Sequence, residues 1–249
     1  MRRAWWLALA LRAAAAAAQT PPASPSGDEI VRRVDANMFA ESRIMTSQMI
    51  VHGERETRTI ESKTWQRGTP DAYTEYLAPA RERGTKMLKL CDELWTYDPG
   101  TDRTIMISGS MLRQSVMGSD LSYEDMMEDP RLERSYAAAV AGTEDVDGRR
   151  CWVVQLTAKV EGLAYETRRV WVDAERWVPL REDLYARSGR LLKTIRLGDV
   201  RQIEGRWVPM HAAYRDVMKT GGGTEFVIET IAFDAPLPAY LFSKAALRR

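Results

Sequence analysis

The sequence predicts a mainly β protein, an antiparallel meander closed or partly closed as a barrel. Short runs rich in β-branched and aromatic residues follow one another from residue 48 almost to the end. Turn signals of the hairpin kind separate them, among them Asp98-Pro99-Gly100, Ser188-Gly189 and Gly221-Gly222-Gly223. Almost no helical stretch lies between strands, so the crossovers that parallel pairing requires are missing.

In chain order, the first 18 residues have a basic start, an apolar run and a string of small residues. That is the layout of a secretory signal peptide, with an Ala-x-Ala cut after Ala18. Removing it takes Arg2, Arg3 and Arg12 and lowers the formal charge from +1 to about −2. The apolar run is too short and too interrupted to span a bilayer, and no cysteine at the cut offers a lipid anchor. The expected product is exported and not lipid-anchored.

Residues 19–27, QTPPASPSG, read as a flexible leader, and residues 28–249 as one domain. Asp28 is expected to cap an amphipathic helix, DEIVRRVDANMFAES, with Ile30, Val34 and Met38 on one stripe and Asp28 and Glu29 suiting the helix dipole. The strands follow: QMIVHGERE, TRTIESKTW, DAYTEYLA, KMLKLC, LWTYDP, RTIMIS, CWVVQLTAK, YETRRVWVD, WVPLREDLY, LLKTIRLG, WVPMHAAYRDV and EFVIETIAF. Two stretches break the pattern. After Gly118-Ser119-Asp120, the pair Ser122 and Asp125 reads as a capping box opening a short helix that stops before Pro130. The tail PLPAYLFSKAALRR starts extended at its prolines and ends in a helical turn.

Composition narrows the function. Lys plus Arg is 36 and Asp plus Glu 35, so no excess of clustered positive charge suits a nucleic-acid backbone. His52 and His211 lie far apart, and Cys91 and Cys151 lack ligand spacing, so neither a metal nor another cofactor is expected. Sequence leaves open whether the two cysteines pair. Gly-Ser-Asp-Leu at 118–121 superficially resembles a lipolytic serine, but a nucleophile elbow needs Gly-x-Ser-x-Gly between strand and helix. Both histidines sit in strands. No Gly-rich phosphate loop opens a helix, and no catalytic residue is assigned.

What remains is an unusual set of soft side chains. Met111, Leu112, Met117, Leu121, Tyr123, Met126 and Met127 cluster around one loop and its short helix. Methionine is flexible and polarizable, and lines surfaces that meet irregular or varying apolar partners. Together these residues suit a movable lid over an acyl-chain site, with Met38 of the first helix as a further lining residue.

The leading helix Asp28–Ser42, the phrases LWTYDPGTDRTIMI and RVWVDAERWVPLRED, the ending ALRR and above all Met117–Asp125 resemble the outer-membrane lipoprotein-sorting protein family, the LolA-like group, over about residues 28–247. The chain is longer than the carrier proper, and its Gly-Ser-Asp segment marks a side branch. The resemblance implies an incomplete antiparallel barrel, a half barrel, whose concave face is covered by an N-terminal amphipathic helix and a short helical lid. It implies a periplasmic carrier for acyl chains of lipoproteins or lipids moving towards the outer membrane. An inner-membrane transporter and an outer-membrane acceptor are its candidate partners. An envelope-stress sensor of the same fold, or a secreted esterase, are the competing readings. In the carrier proper a basic residue on an early strand holds the lid shut. Arg55 and Arg58 lie in the right stretch here, and no motif chooses between them.

Overall fold

The computed structural model describes residues 24–249. The expected signal peptide and the first part of the leader, residues 19–23, lie outside the described residues. The chain runs α1 (Gly27–Met38), β1 (Ser42–His52), β2 (Thr57–Arg67), β3 (Asp71–Ala78), β4 (Lys86–Leu90), β5 (Glu93–Asp98) and β6 (Arg103–Ile107). A connecting segment follows with short 3-10 turns, α2 (Tyr123–Met127) and α3 (Leu132–Ser135). The second run is β7 (Tyr136–Val146), β8 (Arg149–Ala158), β9 (Thr167–Asp173), β10 (Pro179–Tyr185), β11 (Leu191–Ile203), β12 (Arg206–Asp216) and β13 (Gly223–Phe233).

The strands make one 13-stranded antiparallel sheet in the order β6-β5-β4-β3-β2-β1-β13-β12-β11-β10-β9-β8-β7. Two meanders are therefore joined where the first strand pairs with the last, Arg43 opposite Phe233 and Val51 opposite Thr224. β6 and β7 end the order, so the sheet is a barrel left open between them.

Three sequence expectations need correction. Ser26, not Asp28, caps α1: its hydroxyl accepts from the Glu29 amide at 3.2 Å, and Asp28 and Glu29 fill the first turn. The helix also stops at Met38, where Phe39 turns extended. β7 was not expected at all. Its sequence, YAAAVAGTEDV, is alanine-rich and mostly exposed, so neither strand propensity nor alternation announces it. It is an edge strand held by pairing to β8. Cys91 is exposed on the β4–β5 turn and Cys151 buried in β8, and both are free.

Alternation gives the sheet two faces. The outer face of the first meander, Tyr73, Leu88 and Trp95, is covered by the C-terminal tail through Leu241, Phe242, Ala246 and Leu247. The outer face of the second meander has its own cluster of Val146, Cys151, Val153, Trp171, Val178 and Leu180, and the inner face carries α1 and the connecting segment. α1 lays Ile30, Val31 and Val34 on Val154, Leu156, Val170 and Val172 of β8 and β9. Gly27 permits that approach, since a Cβ there would fall 2.4 Å from the Ala138 carbonyl oxygen of β7. The connecting segment crosses the inner face of β1–β6 as a lid.

Candidate functional site

Cross-strand register builds the floor of a cavity under this lid. Arg43 faces Gln66, Gln66 faces Ala72, and Ala72 faces Lys89, so these four residues form one row across β1–β4. The next row inward is Met45, Thr64, Thr74 and Met87. Deeper still stand Ser47, Ser62 and Tyr76, then Met49 with Ile60 on one side and Phe226 of β13 on the other. Thr64 and Thr74 satisfy each other at 2.9 Å, as do Ser47 and Ser62 at 3.1 Å, so these hydroxyls are spent within the floor.

Between floor and lid lies a cavity of ≈ 390 Å³, inside the range of small-molecule sites. Its apolar walls include Met45, Met49, Tyr76 and Phe226 from the strands and Val116, Leu121 and Met126 from the lid. Its outer end is polar, with Arg43, Gln66, Thr69 and Lys89. A smaller hollow of ≈ 90 Å³ beside Met38, Phe39 and Pro130 shares Arg43, Gln66 and Thr69 with it.

The residues singled out in the sequence divide accordingly. Met111, Leu112, Met117, Leu121, Tyr123, Met126 and Met127 all pack on one inner-face core of Met49, Val51, Ile60, Tyr76, Met87, Leu94 and Ile107. Of these seven, Leu121 and Met126 line the large cavity. Met38 belongs to the α1 core and lines the small hollow. The strand side of the cavity was not singled out in the sequence, although the alternation Arg43, Met45, Ser47, Met49 marks one face of β1.

The lid is fastened by side chains around its perimeter. The Gly-Ser-Asp turn is one such fastening. Met117 and Gly118 both have left-handed backbone, at φ 49° and 76°, and a Cβ on Gly118 would lie 3.0 Å from the Arg58 guanidinium. That guanidinium donates to the Met117 carbonyl at 2.9 Å. Asp120 accepts from the Thr224 hydroxyl at 2.7 Å and the Asp216 amide at 2.9 Å, which ties the turn to β13 and the end of β12. Ser119 is fully buried, its hydroxyl turned to its own loop at Leu121. His52 and His211 both bond Glu225 instead, at 2.7 and 2.8 Å.

The other fastenings lie along α2 and α3. The Ser122–Asp125 capping box forms as expected. Asp125 also pairs with buried Lys193 of β11 and accepts from the Tyr165 hydroxyl at 2.6 Å. Burial pushes the Asp125 carboxyl up, but Lys193 and these hydrogen bonds outweigh it and hold the group below its ordinary value. Glu128 pairs with Arg168 of β9, whose second neighbour is Glu182 at 3.6 Å. Burial raises the Glu182 carboxyl, against the pull of Arg168. Lys89 donates to the Met126 and Met127 carbonyls at 3.2 and 3.1 Å. Asp35 of α1 accepts from the Leu132 and Glu133 amides, so it caps α3 from outside.

Comparison with known proteins agrees with this architecture. The chain is similar to a DUF1329 family protein from Desulfovibrio piger, 24% identical, with a TM-score of 0.81 over 89% of this chain and 97% of that one. It is similar to an outer membrane lipoprotein-sorting protein domain from Vibrio parahaemolyticus, 24% identical, TM-score 0.78, covering 90% and 98%. A LolA superfamily protein from Nitrosomonas europaea is 21% identical, TM-score 0.75, covering 90% and 100%. No curated protein matches the chain. Residues 68–249 match the model of a family described as an uncharacterized protein. The chain therefore belongs to that family, and its fold is the LolA-like fold that the sequence resemblance implied.

Proposed function

We propose that the protein is a periplasmic carrier that takes up an acyl chain of a lipid or lipoprotein beneath its lid and passes it towards the outer membrane. The observation that carries this reading is the lidded cavity itself. A core closes on its own side chains when it can, because empty space forfeits contacts. Here Met45, Met49, Tyr76, Leu121, Met126 and Phe226 surround space they do not fill. Each methylene moved there from water is worth about 0.8 kcal/mol, enough for a chain to stay bound away from a membrane. The lid also has the right kind of attachment. It pairs with the sheet through side-chain bonds from Arg58, Lys89, Arg168, Lys193 and Thr224, each of which can break without unravelling a strand. A closed and an open state separated by such contacts is what uptake and release demand.

The test is binding of a fluorescent fatty acid by delipidated protein, with Ala72→Phe as the blocking variant. Ala72 sits on the floor between Gln66 and Lys89 and borders the cavity, so a ring there occupies ligand space rather than packed core. At least tenfold weaker binding with an unchanged melting temperature is expected. Wild-type protein that takes up no fatty acid, or a variant that binds as well as wild type, overturns the carrier reading.

A further inference from the structure

The outer end of the cavity holds charge that the carrier reading leaves unused. Arg43 forms no ion pair among the described residues. It spends one hydrogen bond on the Gln66 side-chain oxygen, out of five N–H donors in a guanidinium. Burial pulls its pKa below the usual arginine value, with no acid acting against that pull. Lys89, three strands away in the same cross-strand row, forms no ion pair either and bonds only lid carbonyls. Asp125 and Glu128 border the same cavity, but Lys193 and Arg168 already claim them. The wall therefore carries two cations outside any ion pair at its mouth, and methionines, tyrosine and phenylalanine further in. Lys89 lies within the field of Asp129, Asp92 and Asp71, and Arg43 has no acid acting on it. A desolvated cation without a partner is costly, so its retention at a ligand cavity calls for a ligand that neutralises it.

We propose that Arg43, aided by the field of Lys89, is an anion-recognition site at the cavity mouth, and that the cargo is an acyl lipid with a carboxylate or phosphate beside its chain. The proposal rests on the carrier reading and adds an orientation, with head at the Arg43–Lys89 row and tail towards Met49 and Phe226. Three strand-to-strand steps place the Arg43 and Lys89 backbones roughly 14 Å apart along the sheet, and their side chains can converge on one headgroup from either side. A guanidinium presents paired donors that match the oxygens of either anion.

The experiment displaces a fluorescent acyl probe with oleate, methyl oleate or inorganic phosphate, from wild type and from Arg43→Gln. Wild type should bind oleate about ten- to a hundredfold more tightly than methyl oleate, the range of one charge-assisted contact. Arg43→Gln should lose that preference while keeping its affinity for methyl oleate, which also reports that the cavity is intact. Phosphate at millimolar concentration should displace nothing. Equal wild-type affinity for the two lipids overturns the anion site and leaves the carrier standing. Phosphate that binds as tightly as oleate overturns a lipid as the source of the anion. If neither lipid binds, the carrier reading itself has failed. The wild-type comparison decides the matter even if the variant does not fold.

Discussion

Lys193→Met is the sharpest probe of how the lid is held. Lys193 is buried on the inner face of β11, and its ammonium meets Asp125 of α2, itself mostly buried. Methionine keeps the volume and removes the charge. Losing one partner of a buried pair costs about 3–5 kcal/mol, because the other charge is stranded. A ceiling follows from the escape route. Asp125 can take up a proton, and for a carboxyl with an ordinary value of 3.8 that costs about 4 kcal/mol at pH 7, at 1.36 kcal/mol per unit. The Tyr165 hydroxyl and the Ser122 amide stay bonded to it, which puts the expected loss near the lower figure, about 3 kcal/mol. Hydrogen exchange at the Asp125 amide, which bonds the Ser122 hydroxyl at 3.2 Å, reads lid opening, and urea unfolding reads the whole domain. The Asp125 amide should exchange at least tenfold faster, and adding Asp125→Asn should recover most of the loss, since no charge is then stranded. Lid exchange and unfolding midpoint both unchanged in Lys193→Met would refute the idea that this pair closes the lid.

Two further outcomes follow from the frame around the lid. Burial raises Asp35 to about 6, against the two α3 amides that lower it. A raised carboxyl stabilises fully below its unfolded value near 3.8, and that contribution is lost as pH rises through 6. Wild-type stability relative to Asp35→Asn should therefore fall by about 1–3 kcal/mol between pH 4 and pH 7 in paired urea titrations, and a difference that stays flat contradicts the burial argument. Gly27→Ala would improve helix propensity in a free peptide. In the protein its Cβ meets the β7 backbone at 2.4–2.5 Å, so a loss of about 1–3 kcal/mol is expected in thermal unfolding. An unchanged or higher midpoint would show that α1 does not sit where described.

Much of this molecule is written locally. The alternation in DAYTEYLA and RTIMIS marks β3 and β6 to within a residue of their observed ends, and Ser122 with Asp125 announces the start of α2. The gathering of Met111, Met117, Met126 and Met127 around one loop foretells the lid core. Each of these signals acts between neighbours a few residues apart, where chain geometry leaves few choices. Other features were silent for a physical reason. β7 has weak propensity of its own and exists as a strand because β8 offers it an edge. Ser26 takes the cap from Asp28 because Gly27 fits under Ala138 and lets α1 begin two residues early.

By itself, then, the sequence settled most of the stretches that extend, β7 excepted, and that one interruption caps a short helix. Only the tertiary structure decided that Arg43 and Lys89 stand in one row, that Lys193 meets Asp125 68 residues away, and that β1 closes against β13. Register and long-range charge pairing depend on how many residues each turn consumes and on how two distant meanders dock. No local pattern carries that information, and the placement of a cationic mouth above an unfilled apolar floor is its product.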